Sequence, residues 1–277
     1  MTQTKPREAL GACLDEVWKY DHDRFLTVLL APAGKRDALL ALYAFNVEIA
    51  RIAELVSEPM MGHIRLQWWR ETVEGIDRGE TRGHPVAEAM AASGLPRDRL
   101  VALIDAREQD LSEELFDDLH ALEAYAQATS TTIMEIAATI IDVEVPAEVI
   151  RPASIAYSLT GLLRALPIHA SQGRIMMPAD LLRAYDVDPH SVLTGQMTGG
   201  LRAVILDVAT RARTLLAEAR QERVSGAALP VLLPATLCDR YLAMMTEPGF
   251  DPFRQSTEVP AFRRQLRLLR ARLTGRI

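Results

Sequence analysis

The sequence predicts an all-α fold, a single-domain helical bundle covering residues 1–277. Three observations carry this. Ala, Leu, Glu and Arg, all good helix formers, recur throughout. β-branched clusters such as Thr131–Ile133 sit inside patterns of helical period, so strand signals are nearly absent. Proline and glycine fall where helices open and close, and no stretch reads as a domain linker, a repeat or a low-complexity segment.

In chain order, Pro32-Ala-Gly34 opens a helix predicted to reach about Ser57, and Pro59 closes it. A second runs from about Met60 to Asp77 and stops at Gly79. Gly83-His-Pro85 leads into a short helix ending near Ser93-Gly94. Pro96 begins one to about Phe116, and another covers about Leu119–Ile141. Pro146 and Pro152 bracket a turn before a helix from Ala153 to Leu166, which Pro167 stops. Pro178 starts a short helix and Gly199-Gly200 a long one to about Arg223. The last two span about Leu229–Glu247 and a basic amphipathic stretch, about 260–274.

Composition excludes several classes. Hydrophobic content of 49% and charged content of 25% are those of a globular protein, not a disordered one. Arg or Glu interrupts every apolar run before it could span a bilayer. Met1 to Leu14 lack a basic start followed by an apolar stretch, so no secretory leader is expected. Cys13 and Cys238 lie far apart without metal-ligand spacing, which reads as two free, buried thiols in a reducing compartment. A net charge of −6 argues against nucleic acid as a partner. The charge is uneven. From Phe262 onward there are six arginines and no acid, which leaves the rest of the chain at −12.

Two helices are the best candidates for a site, and neither carries the paired carboxylates that hold a catalytic metal. In the first, Tyr43, Val47, Ala50 and Glu54 are spaced four, three and four apart and share a face. In the second, Tyr157, Gly161 and Ala165 align, followed by Pro167-Ile-His-Ala-Ser-Gln-Gly-Arg-Ile-Met-Met-Pro178. Glu54 suits an ion pair with Arg51 better than metal ligation. Arg51, Arg164 and Arg174 are a candidate anion site, since guanidinium forks suit phosphate. His169 reads as structural, and Tyr43 and Tyr157 suit core packing and pocket lining equally. Trp68 and Trp69 point about 100° apart on their helix, with burial of both favoured. Asp105, Arg107 and Asp110 read as solvated helix surface. In the tail, Phe262, Leu266, Leu269 and Leu273 form an apolar stripe beside Arg263, Arg264, Arg267 and Arg270. That stripe fits a final helix packed on the core and a contact with an anionic membrane equally well.

The segments "LYAF" and "LTGLLRA…GRIMMP", with "RLQWWRETVEGI" and "LIDAREQDL" between them, make the chain resemble the squalene/phytoene synthase family from about Asp21 to Arg220. The resemblance implies an isoprenoid synthase fold. It also implies a reaction in which Mg²⁺, bridged to aspartates on two facing helices, ionises an allylic diphosphate. The family's first motif, roughly Asp-Asp-x-x-Asp after "YAF", reads here Ala50, Arg51 and Glu54, and Val47 replaces an arginine. Its second motif reads Gly161, Arg164, Ala165, Ile168 and His169, with Pro167 inside it, so every carboxylate there is gone. Arg164, Gly173, Arg174 and Pro178 are retained.

"AFNVEIARIAELVSE" and "LLRALPIHASQGRIMMP" are further similar to the degenerate branch of that family that serves as mitochondrial complex I assembly factors. That resemblance implies a cytoplasmic, bacterial, non-catalytic protein, peripheral on the inner membrane, whose partner is a subunit or assembly factor of a membrane NADH–quinone oxidoreductase. No cofactor is then expected. Two alternatives stay open: a Mg-dependent head-to-head prenyl synthase with an unusual site, and a binding module for an isoprenoid or quinone-like lipid.

Overall fold

Proline and glycine do set most boundaries. The computed structural model describes residues 4–277; Met1 to Gln3, where the leader reading begins, lie outside the described residues. The helices are α1 (Thr4–Tyr20), α2 (His22–Leu29), α3 (Arg36–Ala50), α4 (Pro59–Gly75), α5 (Pro85–Ser93), α6 (Arg97–Ala106), α7 (Leu119–Ala126) and α8 (Thr132–Ile140). They continue with α9 (Ala147–Arg164), α10 (Leu166–Ser171), α11 (Ala179–Ala184), α12 (Pro189–Leu193), α13 (Gly199–Ala219), α14 (Leu229–Thr236), α15 (Cys238–Met245) and α16 (Ala261–Thr274). Among the described residues, β-structure is limited to an isolated bridge between Phe116 and Pro178.

Several elements differ from the sequence reading. α1 and α2 have no Pro or Gly signal between them. The break is marked instead by Asp21, whose side chain accepts from the Arg24 N–H at 3.2 Å as an N-cap. The predicted Leu119–Ile141 helix is interrupted by a π-helical turn over Gln127–Thr131. Pro152 lies inside α9, not before it. The carbonyl its missing N–H cannot serve belongs to Glu148, an exposed residue in the first turn, where water can serve it. The predicted Leu229–Glu247 helix is two helices meeting at Leu237, whose N–H bonds three residues back to Pro234.

The chain folds as two compact units. The first, up to Ser112 with Thr132–Val145, has α1, α3 and α5 mutually packed around α3. α3 is buried on nearly all sides, from Leu39 to Val47 and again at Ile49, as expected of a helix apolar all round. Trp69 is buried edge-on to Phe45, with ring centres 5.4 Å apart. Trp68 is only half-buried, with Arg82 above it, so burial of both indoles does not hold. Cys13 is a buried free thiol, and burial pushes it up to about 12.

In the second unit α13 packs along α9. α13 buries Leu201, Val204, Ile205, Val208, Ala209, Ala212, Leu215, Leu216 and Ala219, one stripe at helical period. Thr198 caps it, accepting from the Leu201 N–H at 3.1 Å. Arg211 holds Glu123 of α7 through two nitrogens, at 2.6 and 3.0 Å.

α16 corrects the core-packing reading of the tail. It packs on α14, but its inward residues are Leu268 and Ala271. Phe262, Leu266, Leu269 and Leu273 face outward, 64%, 66%, 48% and 85% exposed. Arg267 is turned toward the protein with Leu268 and Ala271, reaching the Thr236 carbonyl and the Asp239 carboxylate. Truncating Leu268 to Ala is expected to cost about 2–5 kcal/mol in chemical denaturation, whereas Leu266→Ala stays within about 0.5 kcal/mol. The reverse order would mean that the helix is turned the other way.

Candidate functional site

The first motif lies in the first unit, at the end of α3. The α-helix stops at Ala50, Arg51 is its C-cap, and Ile52–Glu54 form a 3₁₀ turn. This corrects the face shared by Tyr43, Val47, Ala50 and Glu54. A 3₁₀ turn advances about 120° per residue against about 100° for an α-helix, so Glu54 leaves the face and is exposed. Tyr43 and Val47 are buried and Ala50 is half-buried. Burial pushes the Tyr43 hydroxyl up to about 12, and the Arg24 guanidinium sits over its ring at 5.6 Å.

Arg51 is the centre of this region. Its guanidinium lies 3.4 Å from the centre of the Tyr20 ring. It donates to Glu16 at 3.3 Å and to Glu54 at 3.4 Å. Glu16 and Tyr20, four apart on α1, were not singled out in the sequence, although their spacing puts them on one face. Two carboxylates and an aromatic face therefore hold one cation.

Asn46 and Glu48, flanking Val47, have their own partners. Arg107 donates to the Asn46 side-chain oxygen at 3.1 Å and to Asp110 at 3.2 Å. Asp110 is buried and Arg107 nearly so, which corrects the solvated-surface reading for both. Only Asp105 fits that reading; it is exposed and pairs with Arg70. A charged residue in the last turn of a helix can point either way, and local spacing does not reveal that an amide waits on α3. Glu48 is half-buried, 3.9 Å from His84. Burial, and then the Glu16 charge, raise its carboxyl above the ordinary range.

The second motif lies in the second unit. Tyr157, Gly161, Arg164 and Ala165 are half-buried, while Ala153, Ala156, Leu159, Thr160 and Leu163 form the enclosed face of α9. The Arg164 guanidinium stacks on Tyr241 of α15, 3.7 Å from the ring centre, a partner not read from the sequence. Pro167 does end the helix: Ala165 is the C-cap of α9, and Pro167 sits in the first turn of α10. α10 closes with a Schellman turn. Arg174 N–H bonds the His169 carbonyl at 2.9 Å, Gly173 N–H bonds the Ala170 carbonyl at 3.0 Å, and Gly173 has φ 73°. The retained Gly-Arg pair is thus explained as backbone geometry. The Arg174 side chain donates to Gln172 at 2.6 Å. His169 is held well below its ordinary value, at about 4, by burial and then by the Arg174 charge; its Nδ1 is buried without a hydrogen-bond partner.

These residues do not fit the Mg²⁺ that the fold family implies. Mg²⁺ demands several hard oxygen donors in octahedral array. Ala50, Gly161 and Ala165 offer no side-chain donor, Arg51 offers a cation, and Glu54 is engaged by Arg51. Among the described residues, no three His, Cys, Asp or Glu side chains are grouped to hold a metal. For the candidate anion site, Arg51 is already neutralised by two acids, while Arg164 and Arg174 belong to the other unit and have partners of their own.

Two outcomes follow from this geometry. A Cβ at Gly161 would meet nothing within 4 Å, so Gly161→Ala is expected to raise stability by about 0.5–1 kcal/mol through helix propensity. Gly173→Ala is expected to lower it by about 1–2 kcal/mol, because its backbone is left-handed. Thermal and urea unfolding of both variants checks this; equal effects would contradict the Schellman assignment. For His169, the unfolded chain binds a proton between pH 6.5 and about 4 that the native chain does not. Its contribution is therefore intact above pH 6.5 and lost as pH falls through that window, by up to about 3 kcal/mol. His169→Leu should flatten the fall relative to the parent chain in denaturation at pH 7, 5.5 and 4.5. Parallel curves would refute it.

Comparison with known proteins agrees with this framework. The family model of squalene/phytoene synthase matches residues 17–272. A Bos taurus protein named NADH dehydrogenase (ubiquinone) complex I, assembly factor 6 is 31% identical over 255 residues, 89% of this chain and 76% of that protein. A 15-cis-phytoene synthase of Synechococcus elongatus is 22% identical over 280 residues, 93% of this chain and 90% of that enzyme. The crystal structure of a dehydrosqualene synthase superposes with a TM-score of 0.81 at 15% identity, covering 97% of this chain and 96% of that one, which establishes the shared fold. The chain belongs to the squalene/phytoene synthase family.

Proposed function

We propose that this chain is a non-catalytic member of its family that assists the biogenesis of a membrane NADH–quinone oxidoreductase. The observation that carries the reading is the fate of the first motif. Where ionisation of a diphosphate needs a cluster of carboxylates, Arg51 stands on Tyr20 between Glu16 and Glu54. A metal arriving there meets a positive charge and acids already engaged. The second motif adds no acid: its positions present Gly161 and Ala165, and its half-buried His169 is held well below the ordinary histidine range. Similarity to the bovine assembly factor supports the positive half of the proposal. The partner is then a subunit of the respiratory complex or another of its assembly factors.

The gene's deletion is expected to reduce assembled complex I, measured by native gel and NADH–quinone reductase activity, and the parent chain should restore it. Restoration by Glu54→Ala as well, which removes the remaining acid of the first motif, would agree with a scaffold role. Purified protein with farnesyl or geranylgeranyl diphosphate and Mg²⁺ should release no pyrophosphate. Unchanged complex I in the deletion strain, or steady pyrophosphate release, would overturn the proposal.

A further inference from the structure

The outer face of α16 is the largest feature that the preceding function does not use. Phe262, Leu266, Leu269 and Leu273 form a line one side chain wide. Eleven residues of helix at 1.5 Å each make it about 16 Å long. Arg263 and Arg270 flank the line and are exposed; Arg240 of α15 is exposed nearby. Among the described residues, none of these three has a carboxylate within ion-pair distance. Between α15 and α16 a cleft of about 250 Å³ opens, lined by Leu237, Tyr241, Val259 and Leu266 together with these guanidiniums and those of Arg264 and Arg267.

We propose that α16 is a docking surface for a bilayer containing anionic phospholipid. The stripe enters the acyl boundary, and Arg240, Arg263 and Arg270 engage headgroup phosphates, one of them over the cleft. Three features favour a bilayer over a protein groove. The apolar line is narrow and bordered by cations, which is the arrangement of a helix lying in the interface plane. The field is of one sign, because residues 262–277 contain six arginines and no acid. The cleft joins apolar walls to guanidinium forks, matching a molecule that is phosphate at one end and hydrocarbon at the other. No helix among the described residues is long and apolar enough to cross a membrane, so the contact is peripheral. Arg267 is excluded from it, being turned inward to Thr236 and Asp239.

Sedimentation of the full chain with vesicles of phosphatidylcholine alone, and of phosphatidylcholine with phosphatidylglycerol, tests the proposal. The chain should bind the anionic vesicles, and rising salt should weaken that binding. The double change Arg263→Gln and Arg270→Gln should reduce partitioning about 30-fold, taking about 1 kcal/mol per cation near the surface. Phe262→Ser with Leu266→Ser should reduce it while leaving the salt dependence in place. All four positions face outward, so circular dichroism should show unchanged folding. Inorganic phosphate or pyrophosphate at millimolar concentration should not displace the chain. Equal binding to both vesicles, no binding, unaltered binding by the folded variants, or displacement by soluble phosphate would each overturn the assignment.

Discussion

The second unit depends on one packing arrangement, the apolar stripe of α13 laid along α9. The enclosed face of α9 runs through Ala153, Ala156, Leu159 and Leu163. The motif positions Tyr157, Gly161, Arg164 and Ala165 occupy a different, half-buried face. The two sets are interleaved in sequence but separated around the helix. Acids can be exchanged for Gly and Ala on one face without removing any contact from the other. Retention of the fold beside loss of the ligands therefore follows from helix geometry, and an apolar stripe worth about 25 cal/mol per Å² buried is untouched by it.

α3 reaches a similar end by another route. From Leu39 onward it is enclosed nearly all round, so its freer positions near the motif are Glu48 and Ala50 and those beyond the helix end. Clustered carboxylates repel one another when no cation sits among them. Arg51 removes that requirement by supplying the cation itself, shared between Glu16 and Glu54. Each pair, being only partly buried, contributes about 0–1 kcal/mol, so the knot is a replacement for a metal's charge and not a source of great stability. The Tyr20 face adds a further contribution of about 0.5–2 kcal/mol.

Much of this was legible in the sequence. Helix class, most boundaries and the empty ligand positions follow from composition, Pro and Gly placement and residue identity. The interrupted ends were not, because Ile52-Ala-Glu54 has the composition of a helix whether its hydrogen bonds run to the third or the fourth residue back. The inward turn of Arg107 was hidden because its acceptor, Asn46, lies 61 residues away. The rotation of α16 stays open in the sequence in part for the same reason. A stripe of four large apolar residues predicts the buried face. Instead Leu268 and Ala271 are the buried residues, and Arg267 bonds Thr236 and Asp239 beside them.

Arginine stacked on tyrosine recurs at both motifs. Arg24 lies over Tyr43, Arg51 over Tyr20 and Arg164 over Tyr241. Guanidinium is planar and weakly hydrated, so an aromatic face adds to the carboxylates that pair with Arg24 and Arg51. Two of these cations stand at positions of the degenerate motifs, and in both the ring comes from a helix outside the motif. Both motif regions thus carry a cation on a ring. That arrangement is satisfied within the protein, whereas Arg263 and Arg270 on the outer face of α16 meet solvent.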